Sequence, residues 1–203
     1  MTNYRSVFGL NGLFFLLAIA LIFATKLFGS SASLLFTPPT APATIDDGLL
    51  THAFQILCAA SAVACIFSWG LSRKIKSNQI TNSFLFYSAI ITTGFLLNEV
   101  FRIHIMLLQV GIPKIFTITI YAISVLVYGF SFRRKLLTTP YLWLLTGLGL
   151  LFFAIAIDSL HLGGNPIPVF LEGIPKILSQ INITIYFWQT CNQEILKAMS
   201  DRA

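Results

Sequence analysis

The chain has 203 residues, room for one domain of ordinary size. Hydrophobic residues make up 56% and charged residues only 10%, where soluble chains average about 45–50% and about 25%. The 13 basic and 7 acidic residues give a net charge of +6, but charges this sparse cannot clothe a water-facing surface. That excludes a soluble nucleic-acid binder and leaves an integral membrane protein, with the lipid bilayer as its first partner.

Six apolar stretches approach or exceed the roughly 20 residues that the hydrocarbon core requires. They run approximately Val7–Gly29, Thr51–Ser72, Thr81–Phe101, Lys114–Phe132, Tyr141–Leu160 and Leu171–Leu196. All are too long and too continuous for the alternating strands of an outer-membrane barrel. No small-residue cleavage site follows the first cleanly, so it reads as a retained span rather than a signal peptide. The expected fold is all-α: one polytopic membrane domain over 1–203, built as a bundle of six transmembrane helices.

Six spans put both termini on one side. That side receives Arg5, the Arg73-Lys74-Ile75-Lys76 turn, the Arg133-Arg134-Lys135 turn, Lys197 and Arg202; the other receives only Lys26, Arg102, Lys114 and Lys176. Nine basic residues against four mark the N- and C-termini as cytoplasmic. The expected location is the cytoplasmic membrane, or the thylakoid membrane of a photosynthetic source. His52, His104 and His161 all fall on the outer side, so groups that titrate near neutrality concentrate there.

The longest connection, 30–50, contains Thr37-Pro38-Pro39-Thr40-Ala41-Pro42, which resists helix and reads as an extended outer loop. Asp46 and Asp47 are placed to cap the second span. Gly111-Ile112-Pro113 turns the chain into the fourth span, and Gly163-Gly164-Asn165-Pro166-Ile167-Pro168 separates the last two. Cys58, Cys65 and Cys191 lie inside spans and read as small buried apolar residues.

Three stretches at the outer ends carry the polar residues of most interest. The third span closes on Glu99, Arg102 and His104, the fifth on Asp158 and His161, and the sixth opens on Glu172 and Lys176. Ionisable groups at this depth normally face the bundle and find partners. At about 100° per residue, Asp158 and His161 share a helical face, as do Glu99 with Arg102 and Glu172 with Lys176. Glu99 and His104 can serve one site only if the helix ends or unwinds between them. An acid three residues before a histidine is workable ligand spacing, so a divalent metal on Asp158, His161 and Glu172 is the one cofactor this cluster suggests. The competing reading is structural: local ion pairs and hydrogen bonds that glue helices together. Two polar stripes, Ser88, Thr92, Glu99 and Arg102 on the third span and Glu172, Lys176, Ser179, Tyr186 and Thr190 on the sixth, should both face inward.

This pattern resembles a loose group of uncharacterised bacterial multi-pass membrane proteins. Their acidic pair shortly before a histidine corresponds to Asn98, Glu99 and His104, their later acid to Asp158, and their Glu-(Glu/Gly)-x-x-Lys opening of the last span to Glu172, Gly173 and Lys176. Asn98 departs from the expected second acid. The resemblance covers roughly the C-terminal half and implies a multi-pass membrane fold without an assigned activity. Membrane hydrolases of the alkaline ceramidase type are similar in placing His and Asp near one membrane face, but their His-x-x-x-His pair has no counterpart after His161.

Three functional readings follow, and whether the protein is an enzyme stays open among them. A metal-dependent membrane hydrolase requires a water-accessible pocket joining Asp158, His161 and Glu172. A non-catalytic accessory subunit, bound to other membrane subunits, requires apolar faces without one. A small-solute transporter requires the polar seam to continue to the cytoplasmic end.

Overall fold

The computed structural model describes residues 4–27, 35–36, 48–75, 78–159 and 166–200. Among them are eight helices and no strand: α1 (Tyr4–Leu27), α2 (Leu49–Lys74), α3 (Gln79–Phe101), α4 (Ile103–Gln109), α5 (Lys114–Ser131), α6 (Arg133–Leu136), α7 (Tyr141–Ser159) and α8 (Pro166–Ser200). The proline-rich loop at 37–42, Asp46, Asp47 and His161 lie outside the described residues.

Among the described residues five helices, not six, are long and apolar enough to cross a bilayer: Tyr4–Ala24, Leu49–Lys74, Gln79–Phe101, Lys114–Ser131 and Tyr141–Asp158. Their exposed faces carry large apolar side chains such as Phe8, Leu16, Phe67, Phe130 and Phe152, a surface that a membrane-embedded protein presents to lipid and a soluble one rarely tolerates. The expected sixth span corresponds to α8, and it is different. Ser179, Gln180, Asn182, Thr184, Gln189, Thr190, Asn192, Gln193 and Glu194 dilute its apolar content. Several of these, Ser179, Gln180, Asn182, Thr190 and Glu194, are buried, so the polarity is turned against protein. The helix also begins at Pro166 rather than near Leu171, because proline's fixed φ and missing N–H suit the first helical turn.

The chain divides into two compact units, Met1–Leu57 with Leu142–Ile183, and Cys58–Tyr141 with Thr184–Ala203. Helices α2 and α8 supply residues to both.

In the first unit, α1 and α8 are joined by a reciprocal amide pair. Asn11 Nδ2 donates to Asn182 Oδ1 at 2.9 Å, and Asn182 Nδ2 donates to Asn11 Oδ1 at 2.6 Å. Each amide uses its second N–H on its own helix, at the Val7 and Leu178 carbonyls. Side-chain amides between apolar helices are a recurrent adhesive where water is absent. Helix α7 approaches α8 at Gly147, where a Cβ would stand 2.7 Å from Ile183 Cγ1 and 3.0 Å from the Ser179 carbonyl oxygen. Only glycine permits that approach. Phe36 lies against Gly173 in the same way; its ring meets Phe170 edge-on at 5.8 Å, and its carbonyl accepts a hydrogen bond from Thr51 Oγ1.

In the second unit, α3 and α5 pack through aromatic rings. Phe84, fully buried, stacks on Tyr128 at 5.7 Å and meets Phe132 edge-on at 5.6 Å. Helix α3 ends at Phe101 because Arg102 turns left-handed (φ 50°), its N–H bonding back to the Asn98 carbonyl. The buried Asn98 side chain then accepts the His104 backbone N–H at 3.3 Å, so one residue ends α3 and starts α4. Helix α4 packs against α3 and α5. Gly111 (φ 87°) and Pro113 make the expected turn into α5.

Replacing Gly147 by Ala is expected to destabilise the detergent-solubilised protein by about 1–3 kcal/mol, the usual range for overpacking. Gly149→Ala, where nothing lies within 4 Å, should leave the thermal midpoint unchanged or raised. Equal effects at the two glycines would contradict the close approach of α7 and α8.

Candidate functional site

The polar stripe expected on the last helix is buried, and it extends further than its sequence pattern was followed. Ser179, Tyr186 and Thr190 are each fully buried, and Glu172 and Lys176 are half-buried. One more step of four residues from Thr190 reaches Glu194, whose side chain is only 3% exposed. On a helix these positions fall in one row.

Glu194 is held in the second unit by two other elements. Lys135, in α6, donates from Nζ to Glu194 Oε2 at 2.6 Å and to Thr81 Oγ1 at 3.2 Å. Thr81, in the first turn of α3, passes its own hydroxyl proton to Oε2 at 3.3 Å. Lys197 stands 3.8 Å from Oε1 but is itself exposed. The short α6 turn is what carries Lys135 inward; its neighbours Arg133 and Arg134 remain exposed. A carboxylate so nearly dry would be untenable without such partners, because each buried ion loses several kcal/mol of hydration.

Above Glu194 the second unit contains further buried hydroxyls and thiols. Ser88 gives its one proton to the Phe84 carbonyl at 2.8 Å, so the Tyr128 hydroxyl, 2.7 Å away, must donate to Ser88 Oγ. By the same reasoning Thr139 donates to the Leu136 carbonyl and accepts from Tyr186 at 3.2 Å. Ser61 and Thr184 share a hydrogen bond at 2.9 Å. Cys65 and Cys191 are buried with their sulfurs 4.0 Å apart, and Cys58 is buried as well. All three cysteines are free.

The residues expected at the outer ends of the spans are distributed as follows. Glu99 lies in the last turn of α3, Arg102 at the break and His104 in the first turn of α4, all three half-buried within the second unit. The helix does end between Glu99 and His104, as a shared site for them requires. The expected common face of Glu99 and Arg102 is corrected: the left-handed φ swings the Arg102 side chain off the helical row. Asp158, Glu172 and Lys176 belong to the first unit. Glu172 and Lys176 keep their shared face on continuous α8, and the Lys176 ammonium lies 4.8 Å from the centre of the Phe54 ring, a cation–π contact. Gly173 of the same motif is the seat of Phe36. With His161 outside the described residues, Asp158 and Glu172 are the described members of the expected metal set, and among the described residues no three His, Cys, Asp or Glu side chains form a metal-binding group.

Lys135, Thr81 and Glu194 were missed as a group. The i+4 row on α8 pointed at Glu194; nothing local could name its partners, which lie 59 and 113 residues away. Lys135 was read as one more inner-face positive charge and is in fact half of an ion pair.

Removing one member of the pair leaves the other charge stranded. Glu194→Ala is expected to destabilise the protein by about 3–5 kcal/mol, read as a lowered unfolding midpoint. The double change Lys135→Met with Glu194→Leu should recover most of that loss. A double variant no better than Glu194→Ala would contradict the pairing.

No curated protein and no solved structure matches the chain. Residues 13–190 match the model of a domain of unknown function, DUF8692, and the chain therefore belongs to that family.

Proposed function

We propose that the protein passes protons, or a small polar solute, across the membrane, with the buried Glu194–Lys135 pair as its central element. The observation that carries this is a carboxylate 3% exposed, bonded to an ammonium at 2.6 Å, on a helix too polar to be a lipid-facing span. The pair stands at the end of the spans, at the first turn of α3 and just past α5, where a pathway would exchange its proton or solute with one side, and buried ionisable groups among spans mark such pathways. Thr81, Thr139, Tyr186, Ser88 and Tyr128 supply hydroxyls that both accept and donate, which a relay needs. The polar row on α8 runs on to the end of the bundle that carries the Arg133-Arg134-Lys135 turn, as the transport reading requires of its seam. The hydrolase reading rests instead on His161 and a metal.

In this proposal α8 crosses as well, its polar row turned from lipid, so that the Arg133 turn and both termini are cytoplasmic, in keeping with the excess of basic residues there. Cysteine introduced at Thr138 should then label only from the cytoplasmic side and at Val110 only from outside. The reverse pattern would overturn the orientation.

Transport is tested with the purified protein in vesicles holding a pH-sensitive dye and a potassium diffusion potential. Wild-type vesicles should acidify or alkalinise with the imposed potential, and Glu194→Gln should slow this by about tenfold or more, the scale for losing a positioned proton-transfer group. Vesicles as tight as protein-free ones overturn the proton reading, and release of trapped small polar solutes then tests the other arm. If the Lys135→Met, Glu194→Leu variant folds and conducts both as wild type does, the pair is structural glue and the proposal falls.

A further inference from the structure

The second unit has a cavity of about 730 Å3 between the start of α3 and the turn that follows α5. Its volume is that of an ordinary small-molecule site. Asn78, Gln79, Ser83 and Ser131 line it with hydrogen-bonding groups, and Arg133 and Arg134 supply two guanidinium groups. Among the described residues no aspartate or glutamate lines it. Among the described acids of this unit, Glu194 is engaged by Lys135 and Glu99 lies in the last turn of α3, whereas the cavity borders the first. The positive charge of Arg133 and Arg134 is therefore not cancelled by a lining carboxylate. Guanidinium forks match phosphate oxygens in pairs, and the N–H groups of the first turn of α3 add the positive end of a helix.

The rim of the cavity is of opposite character. Ile80 and Phe130, also lining it, are 62% and 75% exposed. Gln79 and Ser131 are terminal residues of the apolar spans Gln79–Phe101 and Lys114–Ser131, which sets the cavity at the membrane surface, where headgroups lie. Polar and doubly basic side chains beside bare apolar ones at that depth fit a molecule that is anionic at one end and greasy at the other.

We propose that this cavity binds the phosphate group of an anionic phospholipid, with Arg133 and Arg134 as its ligands and Ile80 and Phe130 against the acyl chains. The shared chemistry is a phosphate anion, and the apolar rim favours a lipid over free phosphate. Lys135 also lines the cavity, but its ammonium is engaged by Glu194; the lipid site rests on the two arginines, neither of which belongs to that pair, so their replacement tests it apart from the transport reading.

The test uses the full chain in detergent, with bound lipid measured by native mass spectrometry after adding phosphatidylglycerol or phosphatidylcholine. Wild type should retain phosphatidylglycerol in preference to phosphatidylcholine, and Arg133→Gln with Arg134→Gln should lose about tenfold of that preference, each basic residue contributing on the order of a few-fold near an anionic surface. Raising salt from ~0.05 M to ~0.5 M should weaken retention by wild type, since the screening length shortens severalfold; this arm needs no variant and stands even if the double change fails to fold. Retention unmoved by added inorganic phosphate supports the lipid assignment, whereas displacement by inorganic phosphate assigns the site to the free anion and overturns it. Equal retention of the two lipids, or no loss in the double variant, overturns the site altogether.

Discussion

Hydrocarbon offers no hydrogen bonds, so a polar group inside a membrane bundle must be paired by the protein itself. Glu194 is the severest case, because its charge as well as its lone pairs must be met. The second unit answers with an ammonium from α6 and a hydroxyl from the first turn of α3. That requirement explains a feature otherwise odd in so apolar a chain: α6 is only four residues long, yet it is shaped so that two of its three cations stay outside while the third reaches in. The basic turn thus furnishes the partner of a buried acid.

The same requirement organises the first unit in a milder form. Asn11 and Asn182 satisfy each other and their own helices, which leaves neither amide with an open N–H. Gly147 then lets α7 lie against the polar helix without a side chain between. Glycine and amide do different jobs here. One removes bulk so that backbones approach, and the other supplies direction where dispersion forces have none.

A polar helix among apolar ones is ambiguous by nature. Buried hydroxyls and amides hold helices in register, and the same groups can hand on protons. What tilts the balance is ionisation: an amide pair such as Asn11–Asn182 suffices for adhesion, whereas a carboxylate and an ammonium carry a large desolvation penalty that adhesion alone does not require. The second unit keeps that arrangement, with tyrosine and threonine hydroxyls nearby on the same helix row.

Much of the architecture was legible in the sequence. The five spans fall within a few residues of their apolar stretches, because length and hydropathy are local properties of the chain. The inward stripe of Ser179, Tyr186 and Thr190 followed from 3.6-residue periodicity, the turn at Gly111 and Pro113 from its glycine and proline, and the burial of the cysteines from their place inside apolar spans. The sixth stretch, expected as a sixth apolar span with an inward polar stripe, is not apolar enough to count as one, because amides and hydroxyls stand between its aromatic and aliphatic residues. The break at Arg102 depended on a side-chain cap from Asn98, a residue whose letter alone suggested only a missing acid.

Partners belong to the tertiary structure. Lys135 with Glu194, Asn11 with Asn182 and Cys65 beside Cys191 are 59, 171 and 126 residues apart, and no periodicity links them. Sequence determined which groups could not face lipid, since that depends on each side chain's own chemistry. Which group met which depended on how close two backbones come, and that distance is set by packing at places such as Gly147, after the helices already exist.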